Sequence, residues 1–277
     1  MRVFKVVVMV VVGAAIGCGA PEAVTDAEVP TDVELTSVAL TGQNGALVVT
    51  TANQVVNQYG VLAANVAIGA STLMVTSAAD FTATPPFTTA LAAGDLLLLY
   101  QPQGATINST TTLNNYGGVS ALNGAGNYKL VHVASVAGTT ITLQTTGCGG
   151  LDQAYTTAGG TQVIRVPQVT TLTVSGAGSI VARPWDGVRG GVVAIQTQTT
   201  ATIDGGGIDA SGRGFRGGAL DNATQDPGTT TVRSPTSSTG AEKGESIAGD
   251  ATDYDAAFNG RYGRGAPANG GGGGAAT

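Results

Sequence analysis

Charge is scarce in this chain: 11% of its 277 residues are Asp, Glu, Lys or Arg, and the formal net charge is -6. Without a basic cluster there is no electrostatic footprint for nucleic acid. Histidine occurs once, at His132. One imidazole cannot build a histidine-rich zinc site, and no G-x-S-x-G elbow is present, so zinc-enzyme and serine-hydrolase chemistry fall away. In KLVHVASV, His132 shares an alternating face with Leu130, Ala134 and Val136, which predicts a satisfied, half-buried side chain. No segment sustains an amphipathic helical period with caps. Long apolar runs are also missing: the longest, Val6 to Gly17, has 12 residues, whereas a bilayer-spanning helix needs roughly 20.

That short run carries the first positive signal. Arg2 and Lys5 precede it and small residues end it, as in a secretory leader rather than the first strand of a cytosolic domain. Ala15-Ile16-Gly17-Cys18 resembles the lipobox of bacterial lipoproteins, with Ala15 a tolerated first residue. The resemblance implies a leader over 1–17, diacylglycerol on the Cys18 thiol and acylation of the new amine. Cysteine suits this chemistry because its thiolate is the strongest side-chain nucleophile near neutral pH. Two or more acyl chains anchor stably where one does not. Gly19, rather than aspartate, follows the cysteine, and the family's sorting rule then implies the outer membrane. Residues 18–39 are expected to be a lipidated cysteine and tether; its stretch 19–37, rich in Ala, Pro, Thr, Asp and Glu, spans at most about 60 Å when extended. With Cys18 assigned to lipid, Cys148 in TTGCGGL has no partner. A buried inert thiol is the plain reading, with an intermolecular bridge or a reactive thiol as alternatives.

Abundant Thr, Val, Ala and Gly fit an all-β secreted protein with tight turns. Over 40–168, ALVVT, TLMVT, DLLLLY, KLVHVASV, TITLQT and QVIRVP are short β-branched or aliphatic runs broken by Gly, Asn, Pro and Asp. They predict a compact β-barrel or sandwich. Over 169–218 short Val/Ile strands alternate with glycine-rich corners, which predicts a β-solenoid-like region, with a flat sandwich as the alternative. Val174, Ile180, Val193, Ile195, Ile203 and Ile208 are its expected interior ladder. Residues 219–277 are rich in Gly, Ser, Thr, Pro and Asp, and predict a low-order, flexible tail unless neighbouring chain orders it. Ending on a glycine run without a closing strand, the chain looks stopped early.

Several stretches together resemble one region found near the N-termini of large glycine-rich bacterial cell-surface proteins, adhesin-like and gliding-motility-associated. They are VVNQYGVLAANVAIGASTLMVTSA, AAGDLLLLYQPQGATINST, YGGVSALNGAGNYKLVHVASV, QVIRVPQVTTLTV, WDGVRGGVVAI, IDASGRGFRGG and KGESIAGD. They run in order from about 50 to 274, and GDLLLLYQPQGATIN, QVIRVPQ and GRGFRGG are the most specific. The resemblance implies cell-surface location rather than an activity. Family members continue beyond the glycine run into long repeats, which implies a truncated relative or a stand-alone lipid-anchored form here.

Candidate chemistry is thin. Gly212 to Gly217 match G-x-G-x-x-G, yet GALDNATQDPG follows instead of a helix, so no cofactor is assigned. Arg213 and Arg216 are expected to pair with Asp209 or Asp221. Asp204 and Asp209 fail the calcium-binding glycine repeat because Ile208 stands where it needs glycine. Asp253 and Asp255 begin like an EF-hand loop, but Phe258 and Arg264 replace its glycine and final glutamate. Turn formation is the expected role of these aspartates, with a loose calcium site at Asp250, Asp253 and Asp255 as the alternative; no metal is assigned. Trp185, the one tryptophan, lies in ARPWDGVRGG and is the candidate glycan contact, against the plainer role of plugging a core end. A polysaccharide-processing site would draw on Asp186, Asp204, Asp209, Arg183 and Arg213. The sequence therefore predicts a non-enzymatic, lipid-anchored outer-membrane protein, surface-exposed or on the periplasmic face, acting as a structural or adhesive module. Its partners are outer-membrane lipid through Cys18, and envelope polysaccharide or other surface proteins. The alternative is a carbohydrate-binding or polysaccharide-processing β-helix protein.

Overall fold

The computed structural model describes residues 8–11 (backbone only), 40–110, 115–144, 150–219, 232, 242–250, 252 and 263–273. Cys18, Cys148, Asp221, Asp253 and Asp255 lie outside the described residues. The protein is all-β. Its strands in chain order are β1 (Val8–Val11), β2 (Leu47–Val49), β3 (Gln58–Val61), β4 (Thr72–Met74), β5 (Leu96–Tyr100), β6 (Thr106–Ile107) and β7 (Val119–Ala121). There follow β8 (Tyr128–Ala137), β9 (Thr140–Leu143), β10 (Gln162–Val166), β11 (Gln168–Ser175), β12 (Ser179–Val181), β13 (Val193–Asp204) and β14 (Gly207–Asp209). One 3-10 turn, Ala78–Asp80, is capped by the Ser77 hydroxyl.

Six strands form an antiparallel sheet in the order β3-β10-β5-β8-β9-β4. The sheet curls until its two end strands meet: Leu62 bridges Val75, and Thr76 N–H donates to Val61 O at 2.9 Å. Of the two architectures predicted for this stretch, it is therefore the barrel. Leu96 to Leu99 are apolar throughout because both faces of the strand are covered. Leu97 and Leu99 point into the barrel with Phe81, Val133, Ile141 and Tyr155, while Leu96 and Leu98 pack outside it against Ile164, Val192 and Ala194. Gly60 makes room for the Phe81 ring, since a Cβ there would stand 2.6 Å from a ring carbon.

The second body is a short stack of parallel coils. β11 lies between β13 and β2, all parallel, and β12 pairs parallel with β14. Gln54 bridges Ile180 in the same sense, which gives coils at 47–54, 172–181 and 201–209. ALVVT, expected among the barrel strands, thus opens the stack instead, and the barrel is inserted between the first and second coils. Gly176 and Gly205 turn successive corners at φ 59° and 72°, a region that suits glycine.

Val49, Leu172, Val174, Ile180, Val193 and Ile195 fill the stack's interior, with Ile208 half-buried against them. Ile203 departs from the expected ladder: it is 49% exposed. In register it matches the buried Val174, but among the described residues no strand lies beyond it on β13. A bulge between Val169 and Thr171 shifts the β11–β13 register midway. β1 adds a parallel edge strand to the first part of β13, Val8 opposite Val193 through Val11 opposite Gln196.

The low-order tail expected over 219–277 does not extend to 242–250 and 263–273. Ala105 N–H donates to Ile247 O, and the Gln103 side-chain amide to Ser246 O at 3.1 Å. Lys243, 2% exposed, donates from Nζ to Val232 O, Gly263 O and Gly265 O at 2.6, 3.0 and 2.5 Å, and lies over the Tyr116 ring. A buried ammonium thus joins the Val232 carbonyl to those of Gly263 and Gly265, about thirty residues later in the chain.

Candidate functional site

Most candidate residues gather where the loop after β12, the loop after β14 and the 242–250 strap meet. The backbone sets the meeting: Trp185 N–H donates to Arg213 O at 2.9 Å, and Glu245 N–H to Arg216 O at 3.0 Å. Glu245 is the hub, with its carboxylate 4% exposed. Oε2 accepts from Trp185 Nε1 at 2.8 Å and from the Arg216 backbone N–H at 2.7 Å. Oε1 accepts from Arg216 Nε and Nη2 at 3.0 and 2.5 Å. A carboxylate with four donors is well compensated for its burial. Its hydrogen bonds to Arg216 hold that guanidinium's pKa above the ordinary value.

Arg216 therefore pairs with Glu245, and more distantly with Asp250 at 3.7 Å, rather than with the expected Asp209; the other expected partner, Asp221, lies outside the described residues. Its guanidinium lies against Gly187, whose φ of 99° and missing side chain both suit the approach: a Cβ there would stand 2.6 Å from Nη2.

Trp185, the candidate glycan contact, is 6% exposed and packs edge-on against Phe215 at 5.5 Å between ring centroids. Buried to this degree, the ring offers no stacking platform; it fills the corner between the loops after β12 and β14. The strap closes it, from 60 residues away.

Charged groups rim this plug. Arg183 pairs with Asp186 at 2.8 Å, and Arg189 reaches Asp80 at 2.7 Å and Tyr59 O at 2.8 Å, tying the stack to the barrel. Partial burial opposes ionisation of Asp186, but the Arg189 and Val188 backbone N–H groups and the Arg183 and Arg189 charges outweigh it and hold its carboxyl below the ordinary range. The Ser211 hydroxyl and N–H, with the Arg213 charge, do the same for the exposed Asp209. Both carboxyls are thereby held toward the anionic form. Asp204 stands at the exposed end of β13, apart from Trp185 in the chain's layout. Among the described residues no three His, Cys, Asp or Glu side chains gather as a metal site. Asp250 caps Thr252 through its N–H and hydroxyl. His132 is half-buried as expected, with Nδ1 3.0 Å from Gly94 O, while its buried Nε2 finds no partner.

Two charges that no motif flagged meet at the end of the barrel sheet's inner face, Arg165 being opposite the inward Leu97 in register. Arg165 Nη2 and Asp95 Oδ2 are 2.7 Å apart, with side chains 1% and 5% exposed. Arg165 also donates to Thr89 O at 2.9 Å and stacks over Phe87 at 4.1 Å. Asp95 accepts from Gln43 Nε2 and Ala92 N–H. The available signal was composition: a lone charge inside QVIRVP, another opening DLLLLY, in a chain with little charge to spare.

No protein-family model matches the chain, and no curated protein matches it. Solved structures with some likeness are phage tailspikes. The tailspike of Pseudomonas phage LKA1 is 20% identical over 47% of this chain and 17% of its own, with a TM-score of 0.23. That of Pseudomonas phage phi297 is 19% identical over 55% and 20%, with a TM-score of 0.25. A third, from Acinetobacter baumannii bacteriophage AP22 and solved with a capsular saccharide, is 11% identical over 60% and 29%, with a TM-score of 0.24. The chain thus spans less than a third of each tailspike, and at these scores the likeness carries no functional argument.

Proposed function

We propose that this chain is a lipid-anchored protein of the bacterial outer membrane whose folded body is a structural or adhesive surface module without catalysis. The observation that carries the reading is the N-terminal order of Arg2 and Lys5, the 12-residue apolar run and Ala15-Ile16-Gly17-Cys18. Residues 18–39, rich in Ala, Pro, Thr, Asp and Glu, serve in this reading as the tether from the acylated sulfur. The ordered resemblance to the N-terminal region of large surface proteins supports the same placement, and the engaged carboxylates around Trp185 support a non-catalytic role. Among the described residues no helix is long and apolar enough to cross a membrane, so the anchor proposed is the lipid.

Labelled palmitate fed to expressing cells should enter the wild-type chain and be lost in Cys18→Ser. Equal label in both, or none in either, sinks the anchor. Protease added to intact cells should then cleave the chain without lysis if it faces outward. The alternative, a polysaccharide-binding or -processing β-helix, would be favoured by depolymerisation of an envelope glycan, reduced by Asp204→Asn or Asp209→Asn.

A further inference from the structure

The leader's apolar run reads Val6-Val7-Val8-Met9-Val10-Val11-Val12, valine on both sides of one methionine. Branching at Cβ makes valine a weak helix former and a strong strand former. No charge or proline interrupts the run to block strand pairing. The folded body offers it an edge. Val8–Val11 form β1, parallel to β13 and in register from Val8 opposite Val193 to Val11 opposite Gln196. The other side of β13 is already satisfied there. Ala194 N–H donates to Asn57 Oδ1 at 3.1 Å, Ala194 O accepts from Asn57 Nδ2 at 2.7 Å, and Gln196 N–H donates to Pro167 O at 2.9 Å. Backbone groups alternate along a strand, so the N–H and C=O of Val193 and Ile195 point the opposite way, toward β1. Among the described residues no other strand lies on that side.

We propose that in the unprocessed chain this pairing is an autoinhibitory contact, in which the folded body holds its own leader as a strand and keeps it from the membrane. Entry into a bilayer demands the opposite conformation, because a segment in hydrocarbon must satisfy its backbone within itself, as a helix. Val8–Val11 therefore have two competing solutions for the same backbone groups: β13 in water, or a helix in lipid. The chain from 12 to 39, at about 3.3 Å per residue, is long enough to reach across the body and permit either. Export must precede the folding of β13 or pull β1 away from it. Cleavage before Cys18 then removes β1 and the brake together. The proposal rests on the leader reading and adds its regulation; the tests below separate the two.

Full-length precursor with Cys18→Ser and Cys148→Ser, made in a cell-free extract without membranes, reads the contact directly. Met9→Cys/Ala194→Cys and Val11→Cys/Gln196→Cys place thiols on strands about 5 Å apart, within disulfide reach. Oxidation should join each pair inside one chain, seen as a linked peptide after digestion. Met9→Cys/Thr202→Cys, about 26 Å out of register along β13, should give none. Neither matched pair linking, in precursor whose protease-resistant body is intact, overturns the proposal. With both native cysteines restored, Val8→Leu/Val10→Leu/Val11→Leu keeps the run apolar while lowering its strand preference. When membrane vesicles are added after the precursor has folded, this variant should be processed several-fold faster than wild type. The same two leaders on an unrelated passenger lacking β13 should be processed alike. An equal difference on both passengers, or none on either, also overturns the brake. Faster processing of the leucine variant in a chain whose Cys18 takes no palmitate would remove the lipid anchor and still support it.

Discussion

The barrel and the coil stack are built from similar residues and solve the same problem in opposite ways. The antiparallel barrel strands return to their start at Leu62 and Val75, so nearly every inward side chain meets others of the same sheet. The parallel coils grow along one axis and have no means of closing. Their ends must be plugged, paired or left bare, and this protein does all three. Trp185 and the Glu245 strap plug one corner, β1 pairs part of an edge, and Ile203 is bare. Closure concentrates buried side chains inside the barrel; an open stack leaves an in-register residue such as Ile203 exposed.

The comparison breaks most sharply at the barrel's buried pair. Asp95→Ala leaves the Arg165 guanidinium desolvated and unpaired, and should destabilise the fold by about 3–5 kcal/mol in denaturant titration. A loss below about 1 kcal/mol would mean that the backbone carbonyls around Arg165 suffice.

At the stack's plug, Glu245→Ala removes the acceptor of the Trp185 indole N–H and the partner of the half-exposed Arg216. The expected loss is smaller, about 2 kcal/mol, because Arg216 can be solvated in place. Trp185 is the sole tryptophan, so emission reports the plug alone and should shift to the red as water enters. Unchanged emission would show that Phe215 packing alone closes the corner.

An effect confined to alkali, and absent at neutral pH, lies at the junction of the two bodies. Burial raises the Tyr59 phenol to about 12, against partial relief from the Arg183 backbone N–H and charge. Its hydroxyl donates to Val192 O at 2.5 Å. Because the folded value exceeds the unfolded value of about 10, this contribution is intact below pH 10 and lost as pH rises toward 12. It is at most about 2–3 kcal/mol. Tyr59→Phe should flatten that part of the stability–pH curve, and an identical slope in both proteins would place the alkaline loss elsewhere.

Much of the architecture was legible because strands advertise themselves locally. β-branched runs between glycines marked both bodies, and Val174, Ile180, Val193 and Ile195 lie in the interior as their alternation predicts. Ile203 shows the limit of that logic, since alternation gives the side a residue faces and not whether anything stands there. Trp185 shows another. The sequence left it between a glycan contact and the plainer core plug, while its cover comes from a distant strap whose own sequence looked like unstructured tail.

By itself, the sequence determined the strand material, the glycine corners, the scarcity of catalytic groups and the leader-like N-terminus, all properties of short segments and of composition. Only the tertiary structure decided that 47–54 starts the coil stack, that Arg165 meets Asp95 across 70 residues, and that Glu245 seals Trp185. Those outcomes turn on which buried polar group finds a partner in space. In a low-dielectric interior that choice is made by the whole packed chain, not by any neighbourhood along it.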